Sequence, residues 1–107
     1  MNRINIVPIS VNKCWQGRRF KTNLYKNYEK ELLLKLEYKE LLGAPYRIDI
    51  LFGFSSKLAD IDNPIKPFLD ILQKKYKFND RDIYQLNISK KVVNKGLEYI
   101  NYNIKKA

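Results

Sequence analysis

Two aspartates, an asparagine and a lysine stand close together in the stretch DIDNPIKPFLDIL, residues 60 to 72. The short carboxylate of aspartate is a suitable ligand for a hard cation, and magnesium usually takes one or two carboxylates together with water and substrate phosphate oxygens. If residues 59 to 63 are extended, Asp60 and Asp62 point to the same side, because side chains along an extended chain alternate. The pair therefore predicts a site for Mg²⁺, for which Mn²⁺ could substitute.

Lys66 and Asp80 could complete this chemistry. Lys66 lies one helical turn beyond the pair, where its ammonium group could reach a phosphate oxygen or the negative charge that develops during phosphodiester cleavage. The predicted helix of about 11 residues rises roughly 16 Å, and about five extended residues after it cover a similar distance back. Asp80 is therefore expected to return beside Asp60 and Asp62.

Each of these features also has an ordinary structural explanation. An isolated pair of this kind could be a solvated loop or a helix cap, since Asn63 is a good cap residue before Pro64. Lys66 could simply pair with Asp70 on the next helical turn. The acids of NDRD, residues 79 to 82, could be turn formers that start the next strand. The spacing alone leaves both explanations open.

Basic residues outnumber acidic ones by 21 to 11, which gives a formal net charge of +10 at pH 7. Such an excess favours a polyanionic partner, because each basic side chain placed on a phosphate releases condensed counterions. Nucleic acid is the expected partner, although a lysine-rich surface could also be only a solvated one. The residues expected to contact the DNA backbone are Asn12, Lys13, Arg18, Arg19, Lys21 and Lys57.

The residue types that are rare in the chain exclude several kinds of site. There is no histidine and one cysteine, Cys14, which excludes the usual cysteine and histidine zinc site, an internal disulfide and a nucleophile activated by histidine. No apolar run approaches the roughly 18 residues that a membrane span needs. The first ten residues lack the apolar segment of a signal peptide. We therefore expect a cytoplasmic protein without membrane contact or a small-molecule cofactor.

The hydrophobic pattern predicts a single domain over residues 1–107, with an α/β (α+β) fold in which two main helices pack on a mixed sheet. Apolar residues from Tyr25 to Leu36 recur at helical spacing, and alternate residues from Ile48 to Phe54 share one face of a strand that is expected to be central. The last two strands should form a hairpin around Gly96. In the order β-α-β-α-β-β, the predicted elements are a strand at 3–7, a loop at 8–21, a helix from residue 22 or 23 towards Gly43 and Pro45, a strand at 46–54, a helix from about 65, and strands at 83–93 and 97–104.

The order of these motifs resembles the RusA family of Holliday junction resolvases. The stretch at 60–72, then KYKFNDRDIYQL and the pair Ser89 and Lys90, is similar to that family's signature, which runs D-x-D-N-x-x-K, a helix, a short return and a D-D-x-Q-like turn entering a strand. The amino-terminal VPISVNKCW is similar to the family's P-x-S-x-N segment. The chain departs from the signature at Asn79, where many members have aspartate, and at Asp82, where glutamine is usual.

The resemblance implies a RusA-like fold and a magnesium-dependent endodeoxyribonuclease that cuts four-way DNA junctions with two symmetric nicks in recombination and repair. It implies that Asp60 and Asp62 are paired metal ligands, that Lys66 is the catalytic lysine and that Asp80 is the third essential aspartate. It also implies a homodimer, often encoded by phages, acting in the cytoplasm of a bacterial or phage-infected cell.

Three further expectations concern the dimer interface and two alternative functions. Leu33 and Leu34, which lie off the main stripe of the first helix, could belong to a dimer interface or could widen the stripe that faces the core. A non-catalytic protein of the same fold that binds branched nucleic acid would bind without metal. A small basic ribonuclease would cut RNA and would not need the aspartates.

Overall fold

A mixed four-stranded sheet with two helices packed against it forms the fold, which confirms the predicted class. The computed structural model describes residues 2–18 and 20–107. Arg19, one of the expected DNA contacts, lies outside the described residues. The strands are β1 (Asn2–Ile4), β2 (Trp15–Gln16), β3 (Phe20–Lys21), β4 (Tyr46–Phe54), β5 (Ile83–Val92) and β6 (Tyr99–Lys106), the helices are α1 (Asn23–Lys35) and α2 (Ile65–Tyr76), and short 3-10 turns cover Val11–Lys13 and Asp80–Asp82.

The main sheet has the strand order β1-β6-β4-β5, so β4 is central as predicted. Helix α2 carries the chain back to the start of β4, and β5 then pairs parallel with β4, beginning with Tyr46 opposite Ile83. Strand β6 pairs antiparallel with β4 on the other side. The predicted hairpin between the last two strands is therefore wrong. Gly96 does have the expected positive φ of 95°, but turn residues do not specify on which side of β4 the next strand lies.

Helix α1 begins where the sequence predicts and ends earlier. The Thr22 hydroxyl accepts a hydrogen bond of 3.1 Å from the Tyr25 backbone N–H, which caps the helix. The apolar stripe from Tyr25 to Leu36 is buried. The helix stops at Lys35, not near Gly43: Leu36 is extended, and residues 37–40 are exposed, so they bury no side chain that would hold a further turn against the core.

The core joins β4 and β6 to both helices. Ile48, Ile50 and Phe52 are fully buried on one face of β4, as their alternation predicts. Phe68 of α2 packs edge-on against Phe52, with ring centroids 6.0 Å apart, and against Tyr102 of β6 at 5.8 Å. These contacts fix α2 over the sheet, and with it the residues at both of its ends.

The amino-terminal part differs in detail from its prediction. Strand β1 covers fewer residues than the predicted strand at 3–7, and the predicted loop at 8–21 contains the two-stranded ribbon β2–β3. Trp15 of β2 packs edge-on against Tyr25 at 5.9 Å, which attaches this ribbon to α1. Within residues 2–18 and 20–107, no helix is both long and apolar enough to cross a membrane.

Candidate functional site

Asp60 and Asp62 lie in the connection between β4 and α2, which we call the acidic turn (residues 60–64). Residues 61–64 form a turn and are not extended, so the alternation argument for the two carboxylates is wrong. The Asn63 side-chain amide donates a hydrogen bond of 3.5 Å to Asp60 Oδ2, and the Ile65 N–H donates to the Asp62 carbonyl at 3.3 Å. Asn63 and the following proline are strong turn formers, which explains the geometry. Both carboxylates are exposed.

Asp80 begins the 3-10 turn that follows α2 and leads into β5. Its backbone N–H donates a hydrogen bond of 2.9 Å to Gln73 Oε1, in the last part of the helix. The Asn79 side chain caps the 3-10 turn at Asp80–Asp82 by accepting from the Arg81 N–H at 3.1 Å. The charge of Asp80 acts on Lys66, at the first turn of α2, and the return of Asp80 beside Asp60 and Asp62 stays a prediction.

Among the residues that the structure describes, no three acidic or cysteine side chains stand in an arrangement that could hold a metal ion. The explanation of the NDRD stretch as a turn that leads into a strand is confirmed for Asp80 to Asp82.

Lys66 forms an ion pair with Asp70, its neighbour on the next turn of α2. The Lys66 Nζ and Asp70 Oδ1 atoms are 2.8 Å apart. The hydrogen bond to Asp70 raises the pKa of Lys66, partial burial lowers it, and the charges of Asp70 and Asp80 raise it further, so the net shift is upward. Lys66 is therefore a permanent cation near neutral pH and is unsuited to act as a general base.

The amino-terminal segment is held against the acidic turn by a backbone hydrogen bond. The Val11 N–H donates to the Asn63 carbonyl at 2.9 Å. The Ser10 side chain caps the 3-10 turn that begins at Val11 by accepting from the Asn12 N–H at 3.2 Å. This turn carries exposed Asn12 and Lys13, so two of the predicted DNA contacts lie beside the acids.

The other predicted DNA contacts are more dispersed. Lys21 is engaged internally, because its Nζ atom lies 2.8 Å from Glu29 Oε2 and 5.3 Å from the centre of the Tyr25 ring. Arg18 is exposed in the turn between β2 and β3, and Lys57 is exposed in the loop after β4. That loop is fixed by Lys90 of β5, whose Nζ donates to the carbonyls of Lys57, at 3.4 Å, and of Ala59.

Lys90 is a charged residue near the site to which the sequence gave no role, whereas the predicted pairing of Asp70 with Lys66 is confirmed. In the sequence, Asp70 is marked by its four-residue spacing from Lys66, and Lys90 only by its place in the pair Ser89 and Lys90.

Burial, and then the charge of Asp70, raise the pKa of the Cys14 thiol to about 11. Cys14 is therefore protonated at neutral pH and is not a nucleophile.

A groove lies beside the acidic turn, with a volume of about 480 Å³. Asp60 and Asn63 line it together with Lys13 from the amino-terminal segment, and Tyr28 and Glu98 contribute from α1 and from the residue before β6. The groove thus places a basic side chain and a predicted metal ligand in one depression.

No model of a known protein family and no curated protein matches this chain.

The side chains around the groove and the acidic turn support a definite chemistry. Exposed aspartate oxygens are the ligands that Mg²⁺ prefers, and Mg²⁺ often takes only one or two protein carboxylates and completes its shell with water and phosphate. Asp60 and Asp62 therefore fit a magnesium ion in their chemistry, and Asp80 stays the predicted third ligand. Lys13 and Lys66 are cations that can hold a phosphate group nearby.

Proposed function

We propose that this chain is a magnesium-dependent endodeoxyribonuclease that resolves four-way DNA junctions by two symmetric phosphodiester cuts, as its resemblance to the RusA family implies. The observation that carries the proposal is the hydrogen bond from Val11 to Asn63, which holds Lys13 beside the exposed Asp60. A DNA strand whose phosphate is bound by Lys13 would pass the carboxylates of the acidic turn. The net charge of +10 supports a nucleic-acid substrate.

In the proposed reaction, each residue has a separate task. Asn12 and Lys13 bind the DNA backbone and fix its register, without reading its sequence. Asp60 and Asp62 would hold Mg²⁺, which when bound activates the attacking water and neutralises phosphate charge. Lys66 keeps its proton and stabilises the negative charge that develops on the phosphate, after exchanging Asp70 for a phosphate oxygen.

An end-labelled four-way junction tests this proposal. We expect paired symmetric nicks from the natural protein in Mg²⁺ and none in EDTA. The change Asp60→Asn should abolish cleavage and should keep or tighten binding, because it removes a negative charge next to DNA. The matched variant Glu40→Gln removes one exposed negative charge elsewhere and should still cleave. Cleavage by Asp60→Asn at the natural rate would overturn the proposed role of the acidic turn.

Two symmetric cuts require two copies of the site, so we infer a homodimer with a two-fold axis. Leu34 of α1 is the better of the two interface candidates, because it is 79% exposed whereas Leu33 packs partly against the core. The change Leu34→Glu should convert the dimer to a monomer in sedimentation experiments and replace paired nicks by single ones. The control Leu42→Glu alters another exposed leucine and should leave the dimer intact. A monomeric natural protein would refute the inference.

A non-catalytic protein that binds branched DNA is the second candidate. The observation that favours it is the ion pair of Lys66 with Asp70, which engages the ammonium group that the catalytic role requires. It predicts tight junction binding with no cleavage in any metal ion, and no effect of Asp60→Asn beyond a modest change in affinity. In either role, we place the protein in the cytoplasm of a bacterial or phage-infected cell, where it would act in recombination and repair.

A further inference from the structure

The groove beside the acidic turn has the size and lining of a ligand site. Its volume of about 480 Å³ lies within the range of roughly 300 to 1,000 Å³ that is usual for such sites. Its walls include the apolar side chains of Pro8, Leu24 and Phe54, with Lys13 and Asp60 among the charged residues. A groove that joins apolar walls to a few charged groups favours a ligand with both kinds of surface.

Two polar side chains in the groove wall are largely buried. Glu98 is 9% exposed, and its Oε1 atom accepts a hydrogen bond of 2.7 Å from the Gly96 N–H. Hydrogen bonds from its own backbone N–H and from Ser55 lower its pKa, so Glu98 is an anion at neutral pH. Tyr28 is 6% exposed, and its hydroxyl has no hydrogen-bond partner among the residues that the structure describes.

The negative charges of Glu98 and Asp60 determine which part of a DNA chain can occupy the groove. The carboxylates of Glu98 and Asp60 repel a phosphate group, so the sugar-phosphate backbone is a poor occupant of the groove. A nucleobase is neutral, its flat faces can pack on apolar and aromatic side chains, and its amino group can donate to a carboxylate. Lys13 would remain available for the phosphate that is attached to the same nucleotide.

We propose that this groove receives one unstacked base of the branched DNA, with its faces against Phe54 and Leu24 and its amino group towards Glu98. The inference rests on the proposed function, because a base near a branch point costs less to unstack than a base inside a duplex. It adds base-dependent binding, which phosphate contacts cannot supply.

The test measures junction binding in EDTA, where no cleavage occurs. The junctions lack one base at a time at positions around the branch point. For the natural protein, removal of the base at one position should weaken binding by about 10-fold, since one base stacked on an aromatic side chain contributes roughly 1–3 kcal/mol. Thymine at that position should bind most weakly of the four bases, because it has no amino group.

Two variants assign this effect to the groove. Glu98→Gln should reduce the preference for the intact base by about 5-fold or more, as expected for the loss of one charged hydrogen bond, whereas Glu37→Gln, an exposed charge outside the groove, should leave it unchanged. Leu24→Ala should also reduce the preference, and Leu42→Ala, at an exposed leucine outside the groove, should not.

The possible outcomes separate this inference from the proposed function. Junction binding that does not depend on any single base would overturn the inference and leave the nuclease proposal standing. A base preference that persists in both Glu98→Gln and Leu24→Ala would place the base elsewhere and also overturn it. If the natural protein binds no branched DNA, both the inference and the proposed function are wrong.

Discussion

The ammonium group of Lys66 is held by a contact that a phosphate group can replace. The side chains of Lys66 and Asp70 are 63% and 38% exposed, and exposed ion pairs of this kind contribute only about 0.2–1 kcal/mol to stability. A phosphate oxygen that approaches α2 can therefore take the place of Asp70 at little cost. Lys66 can therefore form the ion pair with Asp70 in the free protein and still take the proposed catalytic role when DNA is bound.

Replacing Lys66 by methionine should separate catalysis from stability. We expect cleavage of a four-way junction to fall by about 100- to 1,000-fold, which is typical for removal of one group that stabilises transition-state charge. The free energy of unfolding should change by less than about 1 kcal/mol. Asp70→Asn breaks the same ion pair and keeps the ammonium, so it should retain most of the cleavage. Single-turnover cleavage and urea unfolding measure the two effects, and an equal loss of cleavage in both variants would contradict the proposed role.

The buried hydroxyl of Tyr28 should contribute nothing to the stability of the free protein. Among the described residues it has no hydrogen-bond partner of normal geometry, although the Ile9 backbone lies close enough to oppose the rise in its pKa, and removal of a poorly satisfied buried polar group is close to neutral or stabilising. Tyr28→Phe should therefore leave the free energy of unfolding unchanged or raise it by up to about 1 kcal/mol. Tyr76→Phe is the matched control, because the Tyr76 hydroxyl lies 2.7 Å from the Glu37 carbonyl and 2.8 Å from the Tyr102 hydroxyl. That variant should be less stable, and equal effects of the two changes would refute this explanation.

Among the elements, local patterns were predictable and the relations between distant strands were not. The bounds of β4 and the cap of α1 follow from alternation and from one hydroxyl group, and both are confirmed. The pairing of β5 depends on the path of α2 across the sheet, which no turn residue specifies. Chain length allowed Asp80 to return towards the acidic turn, and its charge does act on Lys66, but chain length alone could not give its position relative to Asp60.

The contact between β4 and β6 depends on a glycine. A Cβ atom added to Gly53 would lie 2.5 Å from Cδ1 of the Tyr99 ring, and Arg3 covers that ring with its guanidinium 3.9 Å from the ring centre. The ring is therefore enclosed by β4 and by a side chain from β1. Tyr99 cannot move away from Gly53 without losing its contact with Arg3.

Gly53→Ala should consequently destabilise the sheet. We expect a loss of about 1–3 kcal/mol in the free energy of unfolding, as for other overpacked positions. The control Gly43→Ala adds the same methyl group where no atom lies within 4 Å, and it should have no effect or a slightly stabilising one. The double variant Gly53→Ala with Tyr99→Ala should recover part of the loss caused by the added methyl group. Thermal or urea unfolding is the measurement, and a fully stable Gly53→Ala protein would show that the ring can move.

Across the whole molecule, two carboxylates connect separate elements through hydrogen bonds to basic and amide groups. Glu29 of α1 lies 2.8 Å from Lys21 Nζ of β3 and 2.7 Å from Lys74 Nζ of α2. Burial raises the pKa of Glu29, but these hydrogen bonds outweigh burial and leave the pKa below its usual value. A 2.6 Å hydrogen bond from Asn87 of β5 is the largest cause that lowers the pKa of Asp49 in β4.

These lowered pKa values predict how stability changes with pH. A carboxyl group whose pKa falls on folding stabilises the protein above the pKa of the unfolded chain, about 4, and loses this contribution as the pH falls through the lower folded value. The free energy of unfolding should therefore decrease below about pH 4, by at most about 1.4 kcal/mol per pH unit for each group. The double variant Glu29→Gln with Asp49→Asn should be less stable at pH 7 and should show a shallower decrease in acid. Urea unfolding at several pH values measures both effects, with Glu40→Gln as the control that should keep the natural slope. A double variant with that same slope would mean that other carboxyl groups cause the acid sensitivity.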